Sequence, residues 1–186
     1  SLSTREYGVD EPKGLAFSSL ANTLLILDGT GNIALVTMGE DNLGIRNVPE
    51  VQNDPLNVAF DNQTASLFEF NRGKSELAQI KADGKGLPDV SAPPTHLAVN
   101  AFGIKDSQGI AFDPANGRLF ILDAASSQIV SVTPHPTLGF DANEAIRSNK
   151  VERVGLKNLG TAKFKGLAYN PGNGHLYVSE PAQKKL

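Results

Sequence analysis

"GIAFDPANGRLFILD", residues 109–123, carries the fold of this chain in fifteen positions. Two short apolar runs, "GIAF" and "RLFILD", flank the polar "DPANG". Runs of this length, rich in Ile, Leu and Phe and bounded by Pro and Gly, read as buried strands. Pro presets φ at the entry of the turn, and Asn-Gly takes positive φ at little steric cost. The stretch predicts a tight antiparallel hairpin.

The same fifteen positions recur without gaps as "GLAFSSLANTLLILD" from Gly14, "NVAFDNQTASLFEFN" from Asn57 and "GLAYNPGNGHLYVSE" from Gly166. An aromatic falls three positions after each start (Phe17, Phe60, Phe112, Tyr169), and a polar residue fourteen after it (Asp28, Asn71, Asp123, Glu180). A third apolar run follows in three units: "NIALVTM" at 32–38, "ELAQIKA" at 76–82 and "QIVSVTP" at 128–134. Weaker fourth runs are "LGIRNV" at 43–48, "THLAVNA" at 95–101 and "KVERVGL" at 150–156. A hairpin cannot bury both its faces alone, so repeated four-stranded units of this size predict β-propeller blades. The expectation is an all-β chain of four-stranded antiparallel blades. It forms one β-propeller domain or fragment over residues 1–186, with four blades visible, starting near 14, 57, 109 and 166. The only helical pattern is a turn within 139–149. Leu186 stands where Leu77 and Ile129 stand, at the opening of a third strand, and "TREYGV" at 4–9 reads as the outermost strand of an earlier blade. Both point to a larger propeller of about six blades, whose remaining blades would be partners of this chain.

The pattern P-x-G-[LI]-A-[FY]-x-P-x-x-G-x-L-[FY]-[IV]-x-D resembles the NHL-repeat propellers and their gluconolactonase-like and streptogramin-lyase-like relatives. "DSQGIAFDPANGRLFILDAASSQIVSV" carries the resemblance best, followed by "EPKGLAF" and "FKGLAYNPGNGHLYVSE"; the connectors are unmatched. The resemblance implies the propeller fold and leaves activity open, because that scaffold hosts lyases, lactonases and pure binders. Gluconolactonase-like members hold a divalent cation near an E-G-P-x-W start, whereas "EPKGL" departs from that pattern and the chain has no Trp. Lyase-type members use histidines in the central mouth, but His96, His135 and His175 do not occupy equivalent repeat positions, so no such role carries over.

The formal net charge is −3, and the 17 Lys and Arg form no basic stripe, which argues against nucleic acid as a partner. With no Cys there is neither a disulfide framework nor a thiolate metal site. No apolar run approaches the roughly 18 residues of a membrane span, and the polar "SLSTREYGVD" is not a signal peptide. An extracellular or periplasmic setting is expected, and the composition also suits the cytoplasm.

In a propeller the first strand of each blade lines the central channel. The residues preceding each unit, Lys13, Leu56, Gln108 and Lys165, with Asp10, Glu11, Asp54 and Asp106 just upstream, are therefore expected at one channel mouth. Lys13, Asp54, Asp106, Gln108 and Lys165 form the candidate site for a polar or charged ligand. Asp10 and Glu11 are the candidate ligands of a divalent cation such as calcium, with Asp54 and Asp106 as further oxygen donors. The recurrent Asp28, Asn71, Asp123 and Glu180 offer a ring of acceptors for cations. Recurrence in every unit favours a structural role instead, as acceptors of backbone N–H groups. "DGTGN" at 28–32 alternates oxygen donors but lacks the bidentate Glu of a calcium loop and reads as a hairpin turn. "NRGKSE" has Phe68 where a phosphate loop needs its first Gly, and is also a turn. "NQT" at 62–64 is a glycosylation sequon in a secreted eukaryotic chain. No G-x-S-x-G, H-E-x-x-H or S-x-x-K occurs.

Two functions fit these residues. One is a non-catalytic binding module for a protein or a small polar ligand, presenting connectors 39–54, 83–106 and 135–163, including the Pro-rich "GLPDVSAPP" at 86–94. The other is a metal-dependent hydrolase or lyase using Asp10, Glu11, Asp54 and Asp106 to hold an ion that polarises its substrate.

Overall fold

The computed structural model describes residues 3–39, 43–47, 55–72, 74–135, 139–140, 150–159 and 163–181. The chain divides into two compact units, Ser1–His96 and Leu97–Leu186. In the first, β1 (Pro12–Ser18), β2 (Thr23–Asp28), β3 (Asn32–Thr37) and β4 (Leu43–Asn47) form one meander. A second follows from β5 (Pro55–Asp61), β6 (Ser66–Asn71), β7 (Glu76–Lys81) and β8 (Thr95–Ala98). In the second unit, β9 (Ser107–Asp113), β10 (Arg118–Asp123), β11 (Gln128–Val132) and β12 (Val151–Gly155) form a third meander, and β13 (Lys165–Asn170) pairs with β14 (His175–Ser179). These sheets are the expected blades; the third strand of the fourth blade lies outside the described residues, as does most of the helical candidate at 139–149.

The hairpins form where the repeat supplies left-handed backbone. Asn22, Ala65, Gly117 and Gly174 occupy one repeat position, and all have positive φ, between 49° and 72°. Glycine and asparagine accept this conformation readily; alanine does so only against its Cβ.

Inside each unit, consecutive blades meet face to face. Ala16, Leu25, Leu27, Ile33 and Leu35 of the first blade pack with Val58, Phe60, Leu67, Ala78 and Ile80 of the second. Ala111, Phe120, Leu122 and Ile129 of the third pack with Leu167 of the fourth, joined by half-buried Tyr169, Leu176 and Val178. A side chain as fully buried as Leu25, Leu27 or Leu67 contributes about 2 kcal/mol. First strands of consecutive blades run side by side, β1 by β5 and β9 by β13. At that contact the backbones nearly touch. A Cβ on Gly14 would lie 2.8 Å from the Val58 nitrogen, and one on Gly109 would lie 2.7 Å from the Leu167 nitrogen. The glycine that opens these repeats is thus set by close approach, with no positive φ involved.

Two expectations are corrected. Residues 4–9 are not an outer strand: Thr4–Tyr7 is a 3-10 turn closed by Gly8 in the left-handed region. It leads Tyr7 and Val9 onto Ile26, Ala34 and Val36 of the first blade, so the apolar pair covers a sheet instead of extending one. The run "THLAVNA" leaves the sheet after Ala98, because a 3-10 turn at Val99–Phe102, ended by left-handed Gly103, buries Val99 and Phe102.

Gly14→Ala and Gly109→Ala should each cost about 1–3 kcal/mol by forcing neighbouring first strands apart, read as a lower urea midpoint. Ala65→Gly should gain roughly 0.5–1 kcal/mol in the same assay by relieving left-handed strain.

Candidate functional site

Each first strand begins with a register break. Partner positions jump from Pro12 to Gly14, from Pro55 to Asn57, from Ser107 to Gly109 and from Lys165 to Leu167. One residue is therefore bulged out of every ladder: Lys13, Leu56, Gln108 and Gly166. A bulge turns a side chain away from the sheet, and bulges gather next to functional sites. In three blades the bulged residue is the one the sequence points to; in the fourth it is Gly166, and Lys165 keeps its pairing with Ser179.

In the first unit, Lys13 Nζ lies 3.5 Å from Glu11 Oε2, and Arg5 Nε 3.7 Å from Asp10 Oδ1. In the second, Gln108 Nε2 donates to Asp106 Oδ1 at 2.7 Å. Lys165 is exposed at the start of β13, beside β9, and its carbonyl accepts from the Ser179 hydroxyl. Asp54 lies outside the described residues. Asp10, Glu11 and Asp28 line a pocket of about 250 Å³ with Gly8, Gly29 and Thr30. Among the described residues no three His, Asp or Glu side chains gather so as to hold a metal ion.

Asp28 faces that pocket with its carboxylate already engaged. Oδ1 accepts from the backbone N–H of Thr30 and of Asn32, each at 2.8 Å, and from the Thr30 hydroxyl, while Oδ2 accepts from Asn32 Nδ2. Burial alone would raise its pKa, but these donors outweigh it and hold the carboxyl below its ordinary range. Asn71 Oδ1 likewise accepts from the Lys74 N–H. Asp123 Oδ1 accepts from the N–H groups of Lys105 and Asp106, anchoring the segment that carries Asp106. Three of the four recurrent polar residues are thus turn and loop anchors.

A second recurrent set escaped the sequence reading. Ser18, Asp61, Asp113 and Asn170 follow the repeat aromatic directly, and each accepts a backbone N–H from its own hairpin: Ala21, Gln63, Ala115 and Gly172. The signal was present as a short polar residue at one fixed offset. Asp113 goes further. Asn116, Arg118 and the Ala115 N–H all bond it, and against the opposing effect of burial they hold its carboxyl low. Asn62 of the sequon is also engaged: its Oδ1 accepts from the Ser19 N–H at 2.7 Å, tying the hairpins of the first two blades together. The segment 86–94 is strapped onto the first blade, where Ser18 Oγ donates to the Gly86 carbonyl and Leu87 joins the core. His96 Nδ1 sits 3.6 Å from Glu76 Oε2, and the His175 ring lies 6.4 Å from that of Tyr177.

Glu69 is the outlier. It occupies the repeat position held by Ile26, Ile121 and Val178 elsewhere. Its side chain lies level with Val58 and Ala78 on the face packed against the first blade, fully buried, with neither carboxylate oxygen hydrogen-bonded. Burial first, and the Asp28 charge second, push its pKa from 4.5 up to about 9. It is therefore protonated at neutral pH, while the unfolded chain releases that proton. Its share of stability is fully present below about pH 4.5 and is lost as pH rises towards 9, at about 1 kcal/mol per unit. Urea titrations at pH 5 and pH 8 should show this loss in the wild type. Glu69→Leu should remove it and raise stability at pH 8.

No protein-family model matches this chain, and no curated protein matches it. Solved structures do. A nidogen/laminin complex aligns over 92% of this chain and 61% of its own, with a TM-score of 0.62 and 16% identity. A protein of unknown function from Bacteroides thetaiotaomicron aligns over 100% of this chain and 48% of its own, with a TM-score of 0.66 and 11% identity. The chain thus spans about half to three fifths of the length of these neighbours. At such identities the likeness bears on fold alone, and with the antiparallel four-stranded sheets it makes this an all-β chain of propeller type.

Proposed function

We propose that the chain is a non-catalytic binding module whose ligand, a protein segment or a small polar molecule, presents a positive charge to the pocket at the start of β1. The observation that carries this reading is the pocket itself. Asp10 and Glu11 reach it as exposed carboxylates, Asp28 is held ionised by its turn, and Gly8 and Gly29 leave its wall without side chains. The pairs with Arg5 and Lys13 are solvent-exposed, and such pairs hold by less than about 1 kcal/mol, so an incoming cation can displace them. Bulged Lys13, at the start of the same strand, adds a polar group beside the pocket for a longer ligand. A protein ligand is also in keeping with the nidogen/laminin complex among the structural neighbours. An extracellular or periplasmic setting remains part of this proposal.

The test uses a labelled hexa-arginine peptide, with hexaglutamate as control, in fluorescence anisotropy. The wild type should bind hexa-arginine alone, and more weakly as salt rises. Asp10→Asn combined with Glu11→Gln should weaken binding about tenfold, a loss of roughly 1.4 kcal/mol. Equal binding of both peptides, or an unchanged affinity in the double variant, would overturn the proposal. Saturable one-to-one calcium binding that the double variant loses would instead assign the pocket to the metal-dependent hydrolase or lyase reading.

A further inference from the structure

Glu69 serves no turn, yet it fills a repeat position that Ile26, Ile121 and Val178 fill elsewhere. Its side chain is fully buried, and both carboxyl oxygens lack a hydrogen-bond partner. A buried polar group without a partner destabilises the fold that holds it. The second blade bears this cost where it packs on the blade with the acidic pocket.

Strand register brings Glu69 to the pocket wall. Glu69 pairs with Val58, whose nitrogen lies 2.8 Å from where a Cβ on Gly14 would stand. Gly14 pairs with Leu27, and Asp28 follows at the end of β2, opposite Pro12. Leu27 packs in one core with Val58 and Ala78, the two ladder partners of Glu69. Glu69 therefore lies on the core side of the strand end whose Asp28 lines the pocket with Asp10 and Glu11. Burial first, and the Asp28 charge second, hold the proton on Glu69. Among the described residues, the other ionisable groups near this face are turned to partners of their own. Glu76, opposite Asn71, has His96 Nδ1 at 3.6 Å, and bulged Lys13 has Glu11 Oε2 at 3.5 Å. β3 and β5 present only Ile33, Leu35, Val58 and Phe60.

Asp28 thus stands between a place for a cation and a place for a proton, and its negative charge favours both. Resting on the pocket reading above, we propose that Glu69 regulates the pocket by proton linkage: a cation seated against Asp28 competes with the proton on Glu69. When the cation binds, the Glu69 O–H bond breaks, the electron pair stays on the carboxylate and the proton passes to the solvent buffer. Linkage is reciprocal, so a chain that has lost this proton binds the cation more tightly. Affinity therefore rises with pH.

The probe is hexa-arginine with acetylated and amidated ends, whose guanidinium groups stay charged throughout. Fluorescence anisotropy at pH 7 and pH 9 should show the wild type binding about threefold more tightly at the higher pH. Glu69→Gln, which keeps the shape of the protonated side chain, and Glu69→Leu, which restores an apolar residue, should each bind equally at the two pH values. Circular dichroism at both pH values checks that all three chains are folded. Titration calorimetry at pH 8.5, in two buffers of different ionisation heat, counts the protons released. The wild type should release a fraction of a proton per peptide that both variants lack. Binding with the same pH profile and proton count in all three chains overturns this proposal and leaves the pocket reading standing. Hexa-arginine that binds at neither pH overturns the pocket reading, and this proposal with it.

Discussion

Neighbouring first strands come so close that there is no room for a Cβ between them. Gly14 meets the backbone of Val58, and Gly109 that of Leu167. The two sheets joined at that edge enclose a core of Leu, Ile, Val, Phe and Ala drawn from their first, second and third strands. Everything else in each unit follows from holding that contact. The aromatic and aliphatic positions are set by which face looks at the next blade. The bulge at each strand start places one residue outside the ladder where adjacent strand starts lie together.

The ends of the blades are held by polar side chains acting on backbone. Ser18, Asp61, Asp113 and Asn170 close the hairpins at one end, and Asp28, Asn71 and Asp123 anchor the opposite end. Short polar residues suit this task because their oxygens reach N–H groups two to four residues away. Each turn or loop is thereby held by a side chain of the blade it belongs to. Asp28 is both a turn anchor and a fixed negative charge in the pocket wall, so the acidic character of that site is a by-product of holding the turn. Glu69 shows the reverse: a charge-bearing side chain placed where neither water nor a donor reaches it, retained only by keeping its proton.

Strand content and hairpin positions were written in the sequence because they rest on local chemistry. Gly117 and Gly174 of the two Asn-Gly pairs do take the left-handed turn position, and the apolar runs from 14, 57, 109 and 166 are strands. The 3-10 turn at Thr4–Tyr7 was not legible, because "TREYGV" stands before "EPKGLAF" much as a fourth run stands before "KGLAY", and only the sheet it covers makes the turn favourable. Of the candidate site residues, Lys13 and Gln108 were found by counting back from the repeat start. That they stand out of register is a property of the paired strands.

The sequence by itself determined the repeat, the four-stranded unit and the polar positions at its ends, since turn geometry and strand burial are set within a few residues of each other. Only the tertiary structure decided which faces are covered and which carboxylates are free. Leu15 and Val58 hold one position of the repeat, and Ile26 and Glu69 hold another. One of each pair is exposed or greasy, the other buried or charged, because burial and proton affinity depend on what the neighbouring sheet places opposite, and that neighbour lies some forty or more residues away along the chain.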